Sequence, residues 1–166
     1  HNPRHVSFSN GAEFTYPGTP ASTSTSETGP RRVSVLDPND GIGFEPLATF
    51  HYISRKFMAT PGAEQELLDD VQAWTQQHVT DSSEASINVD GFVEMDEEEF
   101  HRELTAKASP AHVTNETRNV EHILSHPLYR SFQDELEETD WDDETTEKVA
   151  QRTLEVFSQL TAQGEI

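Results

Sequence analysis

The chain has 166 residues, enough for one ordinary domain or for a smaller domain with an arm. Only 33% of them are hydrophobic, and 31 Asp and Glu stand against 11 Lys and Arg, for a formal net charge of -20. That balance argues against general nucleic-acid affinity, which needs clustered Lys and Arg. The lack of Cys excludes disulfides and thiolate metal sites, and no run approaches the ~20 apolar residues of a membrane span. The first residue is His1 and not Met, from which residues upstream are expected.

Residues 1–45 read as strands and turns. Val6, Phe8, Phe14 and Tyr16 surround Asn10-Gly11. A two-residue turn would set Phe8 opposite Glu13. A three-residue loop, Ser9-Asn10-Gly11 with Gly11 left-handed, instead pairs Phe8 with Ala12 and Val6 with Phe14 and gathers the apolar side chains on one face. The second register is expected. Residues 17–30, PGTPASTSTSETGP, form a linker or long loop with too little apolar surface to order alone. If ordered, it needs a neighbouring surface. A second hairpin is expected from Val33, Val35 and Leu36, the turn Asp37-Pro38-Asn39-Asp40-Gly41, then Ile42 and Phe44.

From Pro46 to Phe57 the apolar residues Leu47, Phe50, Ile53 and Phe57 are spaced for a helix, although Phe50-His51-Tyr52 also suits a strand. Thr60 and Pro61 then read as the cap and first position of a helix carrying Leu67, Leu68, Val71 and Trp74. Ile87, Val89, Asp90-Gly91, Phe92, Val93 and Met95 suggest a short strand or small hairpin. Asp96 with Glu99 makes a capping box for a helix carrying Phe100 and Leu104, which stops before Pro110. Another helix is expected from near Thr114 through Val120, Ile123 and Leu124, broken at Pro127 and resuming with Leu128, Phe132 and Leu136. The last helix runs from about Asp142 to Gln163, with Gly164 suited to its stop. The expected fold class is α+β: N-terminal β-hairpins and an extended arm over 1–45, followed by a mainly α-helical bundle over 46–166.

Motifs that carry chemistry are sparse. His122 and His126, four apart on one expected helical face, are weak candidates for a metal pair, with no HExxH glutamate between them. Asp37, Asn39 and Gly41 miss the EF-hand pattern, since Gly41 falls at position 5 and Ala48 at position 12. No GxSxG, Walker loop or GxGxxG is present. The acidic run from Asp134 to Glu147 reads as a solvated helix end whose carboxylates favour the next helix's amino terminus. Trp141, inside it, either staples two helices or faces a partner.

In dilute water so acidic a surface repels itself. Above about 1 M salt the Debye length falls to roughly 3 Å and the repulsion fades. Abundant acid, plentiful Thr, no Cys and only three lysines (Lys56, Lys107 and Lys148) make the composition resemble that of proteins from halophilic archaea and their viruses. The resemblance covers the whole chain and identifies no family. It implies a high-salt setting, in a cytoplasm or a virion.

These readings lead to an expected non-enzymatic structural or assembly subunit without a cofactor, such as a virion head–tail connector, completion or decoration protein. Its partners would be proteins, in a homo-oligomer or a multi-subunit assembly, with no membrane and no nucleic acid. The residues expected to meet them are Val6, Phe8, Phe14, Tyr16 and Trp141. A small acidic adaptor is the alternative, and a His-dependent metal hydrolase a remote third.

Overall fold

A computed structural model of the chain describes residues 4–163. Both His1 and the Gly164 helix stop lie outside them. Two antiparallel hairpins come first, β1 (Arg4–Ser7) with β2 (Glu13–Tyr16) and β3 (Arg31–Asp37) with β4 (Gly41–Leu47). Then follow β5 (His51–Ala59), α1 (Glu64–His78), β6 (Ser83–Val93), α2 (Glu97–Ala108) and β7 (His112–Asn119). Three helices complete the order: α3 (Glu121–Leu124), α4 (Pro127–Glu137) and α5 (Asp143–Gln163).

The centre is a parallel three-stranded sheet in the order β5-β6-β7, made by two successive βαβ crossovers through α1 and α2. Its alternation is clearest in β6. Ala85, Ile87 and Val89 are buried, while Glu84, Ser86 and Asn88 point to the other face. Ile87 and Val89 pack with Leu67, Leu68 and Val71 of α1 and Phe100, Leu104 and Ala108 of α2. Fully burying each large side chain contributes about 1.5–3 kcal/mol. Asp96 caps α2 by accepting from the amides of Glu98 and Glu99. Lys107 of α2 reaches Asp69 and Gln72 of α1 at 3.0 and 2.9 Å.

Parallel sheets are ordinarily covered on both faces. Here the second face is polar and exposed along Ser54, Lys56, Asn88, Thr114 and Glu116. Only its carboxyl end is covered, where Phe92 joins Val120, Ile123, Tyr129 and Leu154 in a second apolar cluster built on α3, α4 and α5.

The expected mainly helical bundle over 46–166 is therefore corrected. Helices α1 and α2 pack on a sheet, whose strands take up the segment read as helix or strand before Phe57, the short strand or small hairpin around Asp90-Gly91, and the segment near Thr114 read as helix. Residues 51–59 are strand β5, the alternative reading of that segment. Residues 112–119 are strand β7 and not the start of a helix near Thr114, because their inward positions include Asn115, Thr117 and Asn119 and show no apolar stripe. Asp90-Gly91 is no turn. It lies inside β6, where Gly91, at φ 111, pairs with Ala59 and Thr117. Helix α1 also starts later than Thr60-Pro61 suggests, since Gly62 at φ 81 puts Thr60–Ala63 in a turn closed by the Ala63 amide on the Thr60 carbonyl.

Candidate interaction surface

The first hairpin follows its local chemistry. Val6 pairs with Phe14, the Phe8 amide donates to the Ala12 carbonyl at 2.8 Å, and Gly11 sits at φ 82. This is the register of the three-residue loop. It puts Val6, Phe8, Phe14 and Tyr16 on one face, where Phe8 and Phe14 are each 53% exposed and Val6 is 43% exposed.

The second hairpin turns at Asp37–Gly41, with Gly41 at φ 81. The Asp37 carboxylate accepts from the amides of Asn39 and Asp40, which hold it below the ordinary carboxylate range. Leu36 pairs with Ile42, and Ser34 with Phe44, so that Leu36, Ile42 and Phe44 share a face. Leu36 is 77% exposed. The Arg32 guanidinium lies 4.6 Å from the centroid of the Phe44 ring.

Neither hairpin joins the central sheet. A two-stranded hairpin alone is marginal in water, since each cross-strand pair contributes only about 0.2–1 kcal/mol. Their link to the body is the Ser/Thr/Pro segment, which the edge of β5 supports. Gly29 donates to the Tyr52 carbonyl at 2.7 Å, Ser22 donates to Phe50 at 3.1 Å, and Thr28 makes a parallel bridge with Tyr52. Beneath it, Glu27 and Arg31 are buried. The Glu27 carboxylate accepts from Thr19 and from both the amide and the hydroxyl of Thr23. Arg31 donates to the Ser22 hydroxyl and the Glu27 carbonyl.

Charge divides along the same boundary. Residues 1–59 hold five bases (Arg4, Arg31, Arg32, Arg55 and Lys56) and five acids (Glu13, Glu27, Asp37, Asp40 and Glu45). The whole formal charge of -20 therefore falls on residues 60–166. Residues 1–59 thus carry no net charge and each hairpin presents one apolar face, while residues 60–166 are intensely acidic.

Of the residues expected to meet a partner, Val6, Phe8, Phe14 and Tyr16 come together. Trp141 is half-exposed in the link between α4 and α5, and makes no ring contact among the described residues. His122 and His126 do not share a helix. His122 is on α3, whereas His126 caps α4 by accepting from the Leu128 amide. No group of three or more His, Asp or Glu among the described residues could hold a metal. No helix among them is long and apolar enough to cross a membrane. Sequence reading missed Leu36, Ile42 and Phe44 as surface residues, and it missed the charge division, which a segment-by-segment count reveals. Compared with known protein families, curated proteins and solved structures, the chain matches none.

Proposed function

We propose that the protein is a non-enzymatic subunit of a larger assembly that works in concentrated salt, with its two N-terminal hairpins as the arms that cover a neighbour. A virion head–tail connector, completion or decoration protein is the kind of component that fits. One observation carries this reading: of the twelve exposed large apolar residues among those described, seven lie on the two hairpins, within a segment (residues 1–59) that carries no net charge. Large apolar residues exposed together on a small surface usually mark an interaction site.

Magnitudes favour the arms over the charges as the binding element. Covering a half-exposed Leu, Ile or Phe contributes about 1 kcal/mol, and salt does not screen it. An exposed ion pair contributes roughly 0–1 kcal/mol in dilute buffer, and above about 1 M salt its range falls to roughly 3 Å. An adaptor that draws a basic partner to its acidic run would lose most of its attraction in that medium. The half-exposed Trp141 is the one feature that favours the adaptor reading.

The test is the mass of the purified protein by light scattering in about 2 M KCl, beside Phe8→Ser/Phe14→Ser and Leu36→Ser/Ile42→Ser. The unaltered chain should form oligomers, or bind its assembly partner stoichiometrically. Both variants should be monomeric with unchanged circular dichroism. A strict monomer whose hairpins resist protease without a partner would overturn the proposal.

A further inference from the structure

At the carboxyl ends of β5 and β6, between these strands and the pair α4 and α5, lies a cavity of about 210 Å³. Its apolar surface comes from Met58, Phe92, Tyr129 and Leu154. Phe92 and Tyr129 are almost wholly buried. Gln133, one turn along α4 from Tyr129, also lines the space. Glu94 stands at the exposed rim, and no base pairs with its carboxylate among the described residues.

Size and chemistry narrow the occupant. An apolar cavity of about 150 Å³ takes up benzene in preference to water. The cavity here has room for one six-membered ring with a short substituent. Aromatic faces attract ammonium groups, the unpaired Glu94 carboxylate supplies a counter-charge, and the acidic body raises the local concentration of cations and lowers that of anions. We infer that the cavity is a binding site for a small organic ammonium ion, with an apolar part of about one ring and a single cationic nitrogen directed to Glu94. This inference is independent of the assembly reading, because none of its residues belongs to the hairpins.

Calorimetric titration with benzylamine, benzyl alcohol and benzoate tests it, at the lowest KCl concentration that preserves the native circular dichroism. Benzylamine should bind saturably with one site per chain, benzyl alcohol about fivefold more weakly, and benzoate more weakly still. Glu94→Gln changes an exposed side chain and should bring benzylamine down to the level of the alcohol. Ala150→Phe, which projects a ring into the cavity from α5, should abolish binding of all three. No saturable binding of any probe overturns the inference. So does equal affinity for amine and alcohol, or benzylamine binding that Glu94→Gln leaves intact.

Discussion

Gly91→Ala is the sharpest test of the parallel sheet. A Cβ on Gly91 would lie 2.4 Å from the Ala59 oxygen and 2.9 Å from the Ala59 nitrogen, inside the closest approach that real Cβ atoms make. Both neighbours are backbone, so no side chain can swing aside. Relief requires β5 to move away from β6 across the paired register Met58–Asp90 and Ala59–Gly91. Two costs add. Holding an L-residue at φ 111 costs about 1–2 kcal/mol, and forcing atoms into a packed site costs about 1–3 kcal/mol. The total, about 2–5 kcal/mol, is a large share of the roughly 5–15 kcal/mol of an ordinary domain. For a chain of this size that lowers the melting temperature by roughly 4–20 °C.

Gly62→Ala is the control. Gly62 has a similar backbone, φ 81, but its added Cβ would meet only the Glu94 carboxylate end, at 3.7 Å. It should show the conformational cost alone, about 1–2 kcal/mol. Urea unfolding followed by circular dichroism at one fixed KCl concentration compares the two. If Asp90-Gly91 closed a hairpin, as its dipeptide suggests, both substitutions would cost the same. Equal losses would refute the β5–β6 register and with it the corrected fold.

Two other perturbations read separate parts of the molecule. Arg31→Ala should release the 17–30 segment from β5, so that the Gly29 amide exchanges with deuterium much faster while amides of β6 stay protected; equal protection at Gly29 would refute the anchoring role of the buried pair. The second concerns acid. Asp69 and Asp90 are held below the ordinary carboxylate range, first by hydrogen bonds from Lys107 and Lys56 respectively. A depressed native pKa stabilises the fold above the unfolded value of about 3.9 and loses that effect as pH falls through the native value. The stability gap between the unaltered protein and Lys56→Met/Lys107→Met, measured at the lowest salt that preserves the fold, should be full above about pH 5 and narrow toward pH 2. A gap independent of pH would exclude these pairs as its source.

What could be read in the sequence follows the range of the interactions involved. The first hairpin is decided within residues 6–14 by Gly11 and the facing apolar residues, so its register was legible. The Asp96 cap and the long α5 were legible for the same reason. Strand β7 was not. Its inward Asn119 is satisfied by the carbonyls of Glu94 and Met95, and its amide by the Glu97 carboxylate, partners more than twenty residues away. Such a residue looks exposed until the fold supplies those partners. Gly91 misled for a related reason, because what demands a glycine there is the backbone of β5 and not a local turn. The spacing of His122 and His126 was true in sequence but crosses a break, since the His126 amide bonds back to the Ile123 carbonyl and Pro127 opens α4.

The division of charge makes the salt dependence of association a question with two opposite answers. Copies of the body, each carrying the full -20, repel in dilute buffer, and the hairpins must bring them together against that repulsion. Added KCl removes the repulsion within a few ångströms of the surface while leaving apolar burial in place. Association through the arms should therefore strengthen between about 0.3 and 2 M KCl and then level off. A complex held by the acidic run on a basic partner must do the reverse, because the same ions compete for each of its contacts. Sedimentation velocity across that range separates the two mechanisms without knowledge of the partner's identity. Association that weakens steadily with salt would place the binding energy on the carboxylates and remove the hairpins from the interface.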